Sequence, residues 1–534
     1  MTNLIKQQRQ YTHLKGNYQL PLPLDFETSI APDDSVRLLS HVLEELDYTR
    51  LYQAYSQKGR KPGVEPSILF KVVVYAFMEG IYSTRHIERS CKRDINFKWL
   101  LQGYPSPDHS TIARFIKDYL STCFDDLFNQ FIHYLNRIEE INFKYLFVDG
   151  TKIEANANKY TFVWKKAINK NEAKLLLKIE TLINTLNKNY LSSISFNKDY
   201  PAESLEKALD FLKTKQQELN IVFVHGIGKR KTILQKLVEQ MKECLERQRK
   251  YDVAHDILKD RNSYSKTDPD ATFMHMKDDH MRNAQLKPGY NIQIGVESEY
   301  ITGVNVYADC ADTTTLIPFL ENMYQGLGVR YQNIIADAGY ESEENYIYLE
   351  QQKQEPYIKP VMYEKWKKKS FKKDISKREN MGYNAEEDYY ICANNKRLQP
   401  KGVIHRTSAS GYKAEITVYE CEDCSTCTLK EKCTRAKGNR RMQVSKPFIT
   451  KRQHSYENIK TELGIQLRMN RSVQVEGAFG VIKWDYEFNR FLRRGKNNVK
   501  TEFMMLCLAY NVRKLHSKIQ DERCKNHLHP LKTA

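Results

Sequence analysis

The strongest constraint on this chain is that its β-type segments are short and far apart, so any sheet they share must be interrupted. FKYLFVDGTKIEAN (143–156) is dense in β-branched and aromatic residues and reads as a strand that ends near Asp149 and Gly150. Strand signals return only at Tyr290–Ala308, which reads as a hairpin. They recur at NIIADAGY (333–340), with Asp337 at the strand's end, and at EPYIKPVMY near residue 357. The interruption is helical. Leu175, Ile179, Leu182 and Leu186 keep 4-3-4 spacing, as do Leu234, Val238, Met241 and Leu245, with Leu205, Leu209 and Leu212 between them. These runs predict an antiparallel helical hairpin or bundle over 165–260. Their shortness disfavours intermolecular coiled-coil pairing.

Residues 20–135 read as helical. Pro66 precedes the apolar run ILFKVVVYAFM and Gly80 follows it, the expected order of helix punctuation. Ser83 is placed as an N-cap for STRHIERSCKR, where Arg85, Arg89, Lys92 and Arg93 share one helical face. YPSPDHSTIARFIKDYL is a turn leading into another amphipathic helix. Short helices joined by tight turns, one with a basic face, suggest a helix-turn-helix-like unit; a solvated face on a helical bundle is the plainer alternative. Residues 362–465 open on the basic run KWKKKSFKKDISKRE and continue through Tyr-rich strand candidates to a cysteine cluster. Amphipathic patterns from Met469 to Trp484 and from Thr501 to Lys514 give C-terminal helices. The resulting division is a helical N-terminal unit at 1–140 and a core at 141–164, 286–361 and 466–515. A helical insertion at 165–285, a basic, Cys-containing insertion at 362–465 and a tail at 516–534 complete it.

Lys and Arg outnumber Asp and Glu by 84 to 66, a net charge of +18, which points first to a polyanionic partner such as nucleic acid. Mean hydropathy is −0.65, and the best apolar stretch, Ile68–Ile81, is broken by Lys71 and Glu79, so no membrane partner is expected. The N-terminal MTNLIKQQRQYTHLKGN has no apolar h-region, and the cysteines lack disulfide density. Both suit a reducing, cytoplasmic compartment. HGIGKRKT contains a Gly-Lys pair, but Arg230 follows Lys229 and the spacing fails the P-loop pattern, so no nucleotide cofactor is expected.

Three carboxylates stand out by context. Asp149 and Asp337 each end a strand, and the Gly after Asp149 lets backbone or ligand approach closely. Glu476 borders the apolar face of Val475, Phe479 and Ile482 in RSVQVEGAFGVIKW. Phosphodiester displacement needs the attacking and leaving oxygens stabilised together, which two Mg²⁺ ions held by a few carboxylates accomplish. Strand, hairpin, helix and strand in that order, with acids after the first and fourth strands and on a later helix, resemble the RNase H-like arrangement.

FVDGTKIEANANKY, IIADAGYES and RSVQVEGAFGVIKWDYEFNRFLRRG resemble the three catalytic blocks of DDE transposases from bacterial insertion sequences, in the branch whose core is broken by long insertions. GRKPGVEPSILFKVVVYAFMEGIYSTRHIE and GYPSPDHSTIARF are similar to the N-terminal domain of those enzymes. PGYNIQIGVE, around Tyr290, Asn291 and Gln293, is similar to their second-strand block. The resemblance implies a mixed α/β, RNase H-like catalytic core, with an all-α N-terminal DNA-binding domain, a helical insertion and a small cysteine-rich insertion. It implies that Asp149, Asp337 and Glu476 are catalytic and hold two Mg²⁺ or Mn²⁺ ions. Lys483, seven residues after Glu476 and so two turns on along one face, matches a basic residue placed on DNA. Arg471 matches the arginine before the glutamate. It stands one residue farther away than in the Tyr-Arg-Glu-Lys pattern of the broader group, and no Tyr precedes it at the usual spacing. Arg85, Arg89, Lys92 and Arg93 are further candidate DNA contacts, as are Arg493 and Arg494 in RFLRRGKNNVK, where a solvated helix end is the alternative.

Cys421, Cys424, Cys427 and Cys433 form C-x2-C-x2-C-x5-C, and four thiolates this close can fill a tetrahedral structural Zn²⁺ site, with Cys392 able to replace one. The spacing matches no standard finger. A C-x2-C-x2-C run is also similar to iron–sulfur ligation, though the last gap is longer than in the bacterial ferredoxin pattern and the Pro is missing. Related transposases carry a cysteine group here, which favours Zn²⁺ over unmetallated thiols. DPDATFMHMKDDHM, from Asp268, reads as a loop leading to the sheet, and CKNHLHP, from Cys524, as a loose tail. The expected protein is a transposase that excises and integrates its own insertion sequence. It would bind double-stranded DNA, both terminal inverted repeats and target, as a homodimer in the nucleoid-associated cytoplasm. A metal-dependent nuclease of the same fold and a catalytically inactive or domesticated DNA-binding protein are the alternatives.

Overall fold

The computed structural model describes residues 26–55, 62–226, 228–276, 285–408 and 410–531. The N-terminal stretch read for a leader and the Lys277–Met281 part of the Asp/His run lie outside them. The fold is mixed α/β. Its central sheet uses β1 (Tyr145–Glu154), β4 (Thr272–His275), β5 (Leu286–Glu297), β6 (Tyr300–Tyr307), β7 (Asn333–Ala336) and β8 (Glu355–Ile358), while β2 (Phe162–Trp164) and β3 (Ser263–Ser265) pair separately.

The strand order is β6-β5-β1-β7-β8. β4 and β6 share one edge of β5, β4 taking Leu286–Gly289 and β6 taking Asn291–Glu297. β5 runs antiparallel to β1, whereas β7 is parallel to β1 and β8 to β7. Parallel strands are covered on both faces, which is why Ile334, Ile335 and Ala336 form an unbroken buried run. The Leu316–Leu327 helix connects β6 to β7, and the Glu343–Gln351 helix connects β7 to β8.

β1 does not end at Asp149. It continues to Glu154 because β5 keeps pairing with it as far as Glu154 opposite Gly289, whereas β7 stops at Ala336 opposite Val148. Asp149 therefore stands mid-strand, where β1 loses its parallel neighbour.

The leucine stripes form a bundle of the helices Lys165–Tyr190, Pro201–Glu218 and Ile233–Leu258. Its core, with Leu175, Ile179, Leu186, Leu205, Leu212, Leu234 and Met241, is separate from that of the sheet, while Leu209 and Leu245 are only partly covered. The N-terminal helices instead share one continuous core with the sheet. Pro66–Met78 is buried almost all round and packs against the C-terminal helix Lys496–Gln520. Its Lys71 is buried too, paired with Glu44. Residues 382–444 add an antiparallel sheet of β9 (Gly382–Asn384), β10 (Tyr389–Ile391), β11 (Arg397–Thr407), β12 (Lys413–Cys421) and β13 (Arg441–Val444), paired in chain order.

The C-terminal tail is not loose. The backbone N–H of Lys525 donates to Glu140 Oε1 at 2.8 Å, and Ser298 Oγ meets His527 Nδ1 at 2.9 Å. Asn470 and Gln474, both buried, find partners in the same segment: His529 N–H donates to Asn470 Oδ1 at 2.7 Å, and Gln474 Nε2 donates to the His527 carbonyl at 3.1 Å. Buried amides need such partners, and the tail backbone supplies them. Among the described residues no helix is long and apolar enough to cross a membrane.

Candidate active site

Asp149 and Asp337 arise from neighbouring strands. The β1–β7 register ends at Val148 opposite Ala336, so the two aspartates occupy the next position on strands about 4.8 Å apart. Asp337 leaves the strand to cap the 3₁₀ turn Ala338–Tyr340, its Oδ1 accepting the Gly339 N–H at 2.8 Å. This turn separates its path from that of β1.

Glu476 is linked to Asp149 through Arg471. Arg471 Nη1 lies 3.1 Å from Asp149 Oδ2 and Nη2 lies 3.3 Å from Glu476 Oε1, while Ser472 Oγ donates to Glu476 Oε2 at 2.9 Å. Residues five apart on an α-helix diverge by about 140°. Here the α-helix Glu462–Arg471 continues into the π-wound turn Ser472–Glu476, whose wider i→i+5 winding returns both side chains to one side. The extra residue between Arg471 and Glu476 is thus absorbed locally. A second π-wound turn, Val481–Asp485, carries Lys483, so its seven-residue spacing from Glu476 does not amount to two α-turns on one face. The apolar side is as expected, with Val475, Phe479 and Ile482 buried.

A polar network underlies the aspartates, and its centre, Asp312, escaped the sequence reading. Asp312 Oδ1 accepts from Asn291 Nδ2 at 2.8 Å and from Gln293 Nε2 at 3.0 Å, and Gln293 Oε1 accepts the Tyr340 hydroxyl. Tyr340 is fully buried. Burial first, then the negative charge of Asp149, Asp312 and Asp337, pushes its phenol well above the usual range, with Arg471 opposing. Asp312 sits in the featureless stretch ADTTT. The available signal was Asn291 and Gln293, two polar residues in the buried middle of the strand, which require partners.

The candidate DNA contacts divide. Arg85, Arg89, Lys92 and Arg93 all lie exposed on the Thr84–Arg93 helix, whose Ile87 and Cys91 face inward; Lys92 pairs with Glu88. Ser83 occupies the N-cap position but makes no side-chain cap bond. Arg494 is exposed and donates to the Asn156 carbonyl at 2.7 Å. Arg493 differs: its side chain is only partly exposed and faces the fully buried Glu502 at 3.8 Å, a carboxylate that a nearby cation stabilises. It still borders the cleft that Arg494 lines, but less openly than its neighbour. A cleft of about 640 Å³ lined by Ser83, Lys117, Asn156 and Arg494 joins the start of the basic helix to the end of β1. A second, of about 320 Å³, opens beside Asp337 and is lined by Lys359, Arg468 and Arg471.

Asp149, Asp337 and Glu476 present only carboxylate oxygens, hard donors suited to Mg²⁺ or Mn²⁺, and Arg471 sets a positive group between two of them. That donor chemistry fits divalent ions, although among the described residues no three His, Cys, Asp or Glu side chains are gathered as ligands. The cysteines fit zinc less well. Cys421 is buried beside Cys424, and burial with that neighbour pushes its thiol up to about 12, but Cys433 Sγ is engaged by Arg440 at 3.4 Å. None of them is in a disulfide.

Two family models match the chain: a transposase DDE domain over residues 391–516 and a transposase domain, DUF772, over residues 24–118. No curated protein and no solved structure matches it. The two matches support an insertion-sequence DDE transposase.

Proposed function

We propose that the chain is a transposase that cuts and joins DNA at the ends of its own insertion sequence, with Asp149, Asp337 and Glu476 as the metal-binding acids of an RNase H-like core. The observation that carries this is that Asp149 and Asp337 follow directly on the last paired residues of β1 and β7, while Arg471 links Asp149 to Glu476 of a later helix. The strand order, antiparallel through β6, β5 and β1 and parallel through β7 and β8, supports the RNase H-like reading.

Two divalent ions, when bound, stabilise the attacking and leaving oxygens of a phosphodiester displacement. The carboxylates would hold them, with water or a DNA 3′-OH as the nucleophile, so no covalent enzyme intermediate is needed. Arg471 offsets part of the negative charge of Asp149 and Glu476 and would turn to a DNA phosphate once metal ions engage those acids. The exposed face of Arg85, Arg89, Lys92 and Arg93, with Arg494 across the 640 Å³ cleft, would hold the terminal repeat. Lys483 would lie along the DNA nearer the acids. Cutting both element ends calls for two copies on one DNA assembly.

The test is incubation of the purified chain with DNA bearing its gene's flanks, in Mg²⁺ or EDTA, with target DNA present. Mg²⁺-dependent nicks at a repeat end and their joining to target are expected. Cutting without joining would leave only a nuclease, and end binding without cutting under any divalent ion would leave a DNA-binding protein.

Arg471→Gln separates its two roles. Removing a positive charge held between two carboxylates should tighten Mn²⁺ binding by about tenfold, the equivalent of about 1.4 kcal/mol, while weakening end binding. Titration calorimetry reads the first and filter binding the second; Mn²⁺ affinity that is unchanged or lower would refute the counter-charge role.

A further inference from the structure

Gln293 carries no charge and lies outside the three acids, yet it is fully buried beneath them. In the β1–β5 register it stands directly opposite Gly150, and opposed residues of an antiparallel pair project to the same face. With no side chain at 150, the Gln293 amide lies on β1 itself. A Cβ at Gly150 would overlap Gln293 Nε2 and fall 3.0 Å from Asp312 Oδ1. From there Oε1 accepts the Tyr340 hydroxyl, which belongs to the turn after β7, the strand on the other side of β1. Nε2 donates to Asn291 Oδ1 and to Asp312 Oδ1, each at 3.0 Å, so rotating the amide would set its oxygen against two acceptors. Tyr340 closes the turn whose cap is Asp337.

We infer that Gln293 is a positioning residue: oriented by Asp312 and Asn291, it reaches across Gly150 and straps the turn bearing Asp337 to the strand bearing Asp149. Its consequence for catalysis rests on the transposase reading; the strap itself does not. Gln293→Leu removes the amide. Gly150→Ala displaces the same amide from the strand side without deleting a polar group, so the two variants perturb one contact by different routes.

Hydrogen exchange of the full chain over residues 336–342, and cleavage of end-bearing DNA in Mg²⁺ and in Mn²⁺, are measured for both variants beside the unsubstituted protein. Exchange in the turn should quicken by about tenfold with the rest of the sheet unchanged. Cleavage in Mg²⁺ should fall about 10²-fold, the scale set by roughly 1 Å of misplacement. Mn²⁺ should restore most of it, because Mg²⁺ demands near-ideal octahedral geometry. Unchanged exchange in the turn overturns the strap whatever the activity, and equal losses in the two ions reduce Gln293 to a scaffold residue. If the unsubstituted chain cuts with neither ion, the transposase reading fails while exchange still decides the strap.

Discussion

Asp337→Asn should lower DNA cleavage by about 10³-fold or more while leaving end binding within about twofold, on the scale of losing a charge-stabilising group at a phosphoryl or acyl centre. The substitution is selective because of how Asp337 is held. Its Oδ1 accepts the Gly339 N–H at 2.8 Å, and an asparagine oxygen can keep that bond, so the turn Ala338–Tyr340 stays capped. The negative charge is what disappears, and with it a hard oxygen donor for a divalent ion. The basic helix Thr84–Arg93 belongs to the N-terminal helices and is untouched. Cleavage of an end-labelled fragment and gel-shift binding of the same fragment, measured in parallel, check both halves. A variant that cuts at the unsubstituted rate would remove Asp337 from the proposed site, and one that loses binding and cutting together would indicate a damaged fold.

The residues of the proposed site stand out in the sequence because each sits where local pattern changes. Asp149 and Asp337 interrupt apolar strand runs, and Glu476 borders an apolar helical stripe. What pattern could not reveal was geometry that depends on pairing partners. β1 looked finished at Asp149 because Gly150 follows, yet β5 pairs with it for five more residues. Arg471 stands one residue farther from Glu476 than the motif spacing, and a π-wound turn, whose period differs from that of an α-helix, takes up the difference. Asp312 has no flanking periodicity at all and is drawn in by two buried amides on β5. Arg493 and Arg494 are adjacent in the same basic run, yet the first faces the buried Glu502 while the second is exposed. The helical insertion was readable for the opposite reason: its three helices bury their leucines against one another, so a local repeat specifies the packing.

The tail shows the same dependence on distant partners, and it yields the largest expected stability effect. Lys518 and Glu140 are 0% and 2% exposed, and Nζ lies 2.8 Å from Oε2. Lys518 also donates to the Ser298 carbonyl at 3.3 Å, and Glu140 also accepts the Tyr300 hydroxyl at 2.9 Å and the Lys525 N–H. Burial alone would raise the Glu140 carboxyl, but Lys518 and these donors outweigh it and hold it below its usual range. A group with a lowered folded-state pKa stabilises above its unfolded value, and that contribution is lost as pH falls through the folded one. Lys518→Met keeps most of the side-chain volume but leaves a buried carboxylate without its cation, which should cost about 3–5 kcal/mol. Glu140→Gln with Lys518→Met removes both charges, and the pair should recover a large share of the loss, since an ion pair taken out whole leaves no unpaired charge. Urea midpoints at pH 7 compare the single and double variants. The attribution fails if Lys518→Met alone costs less than about 1 kcal/mol, the range of an exposed pair. It also fails if the double variant is less stable than the single. The pair joins the Glu140 turn, which leads into β1, to the C-terminal helix beside the β5–β6 turn, so its loss should first free the segment that partners Asn470 and Gln474, on the helix that carries Arg471 and Glu476.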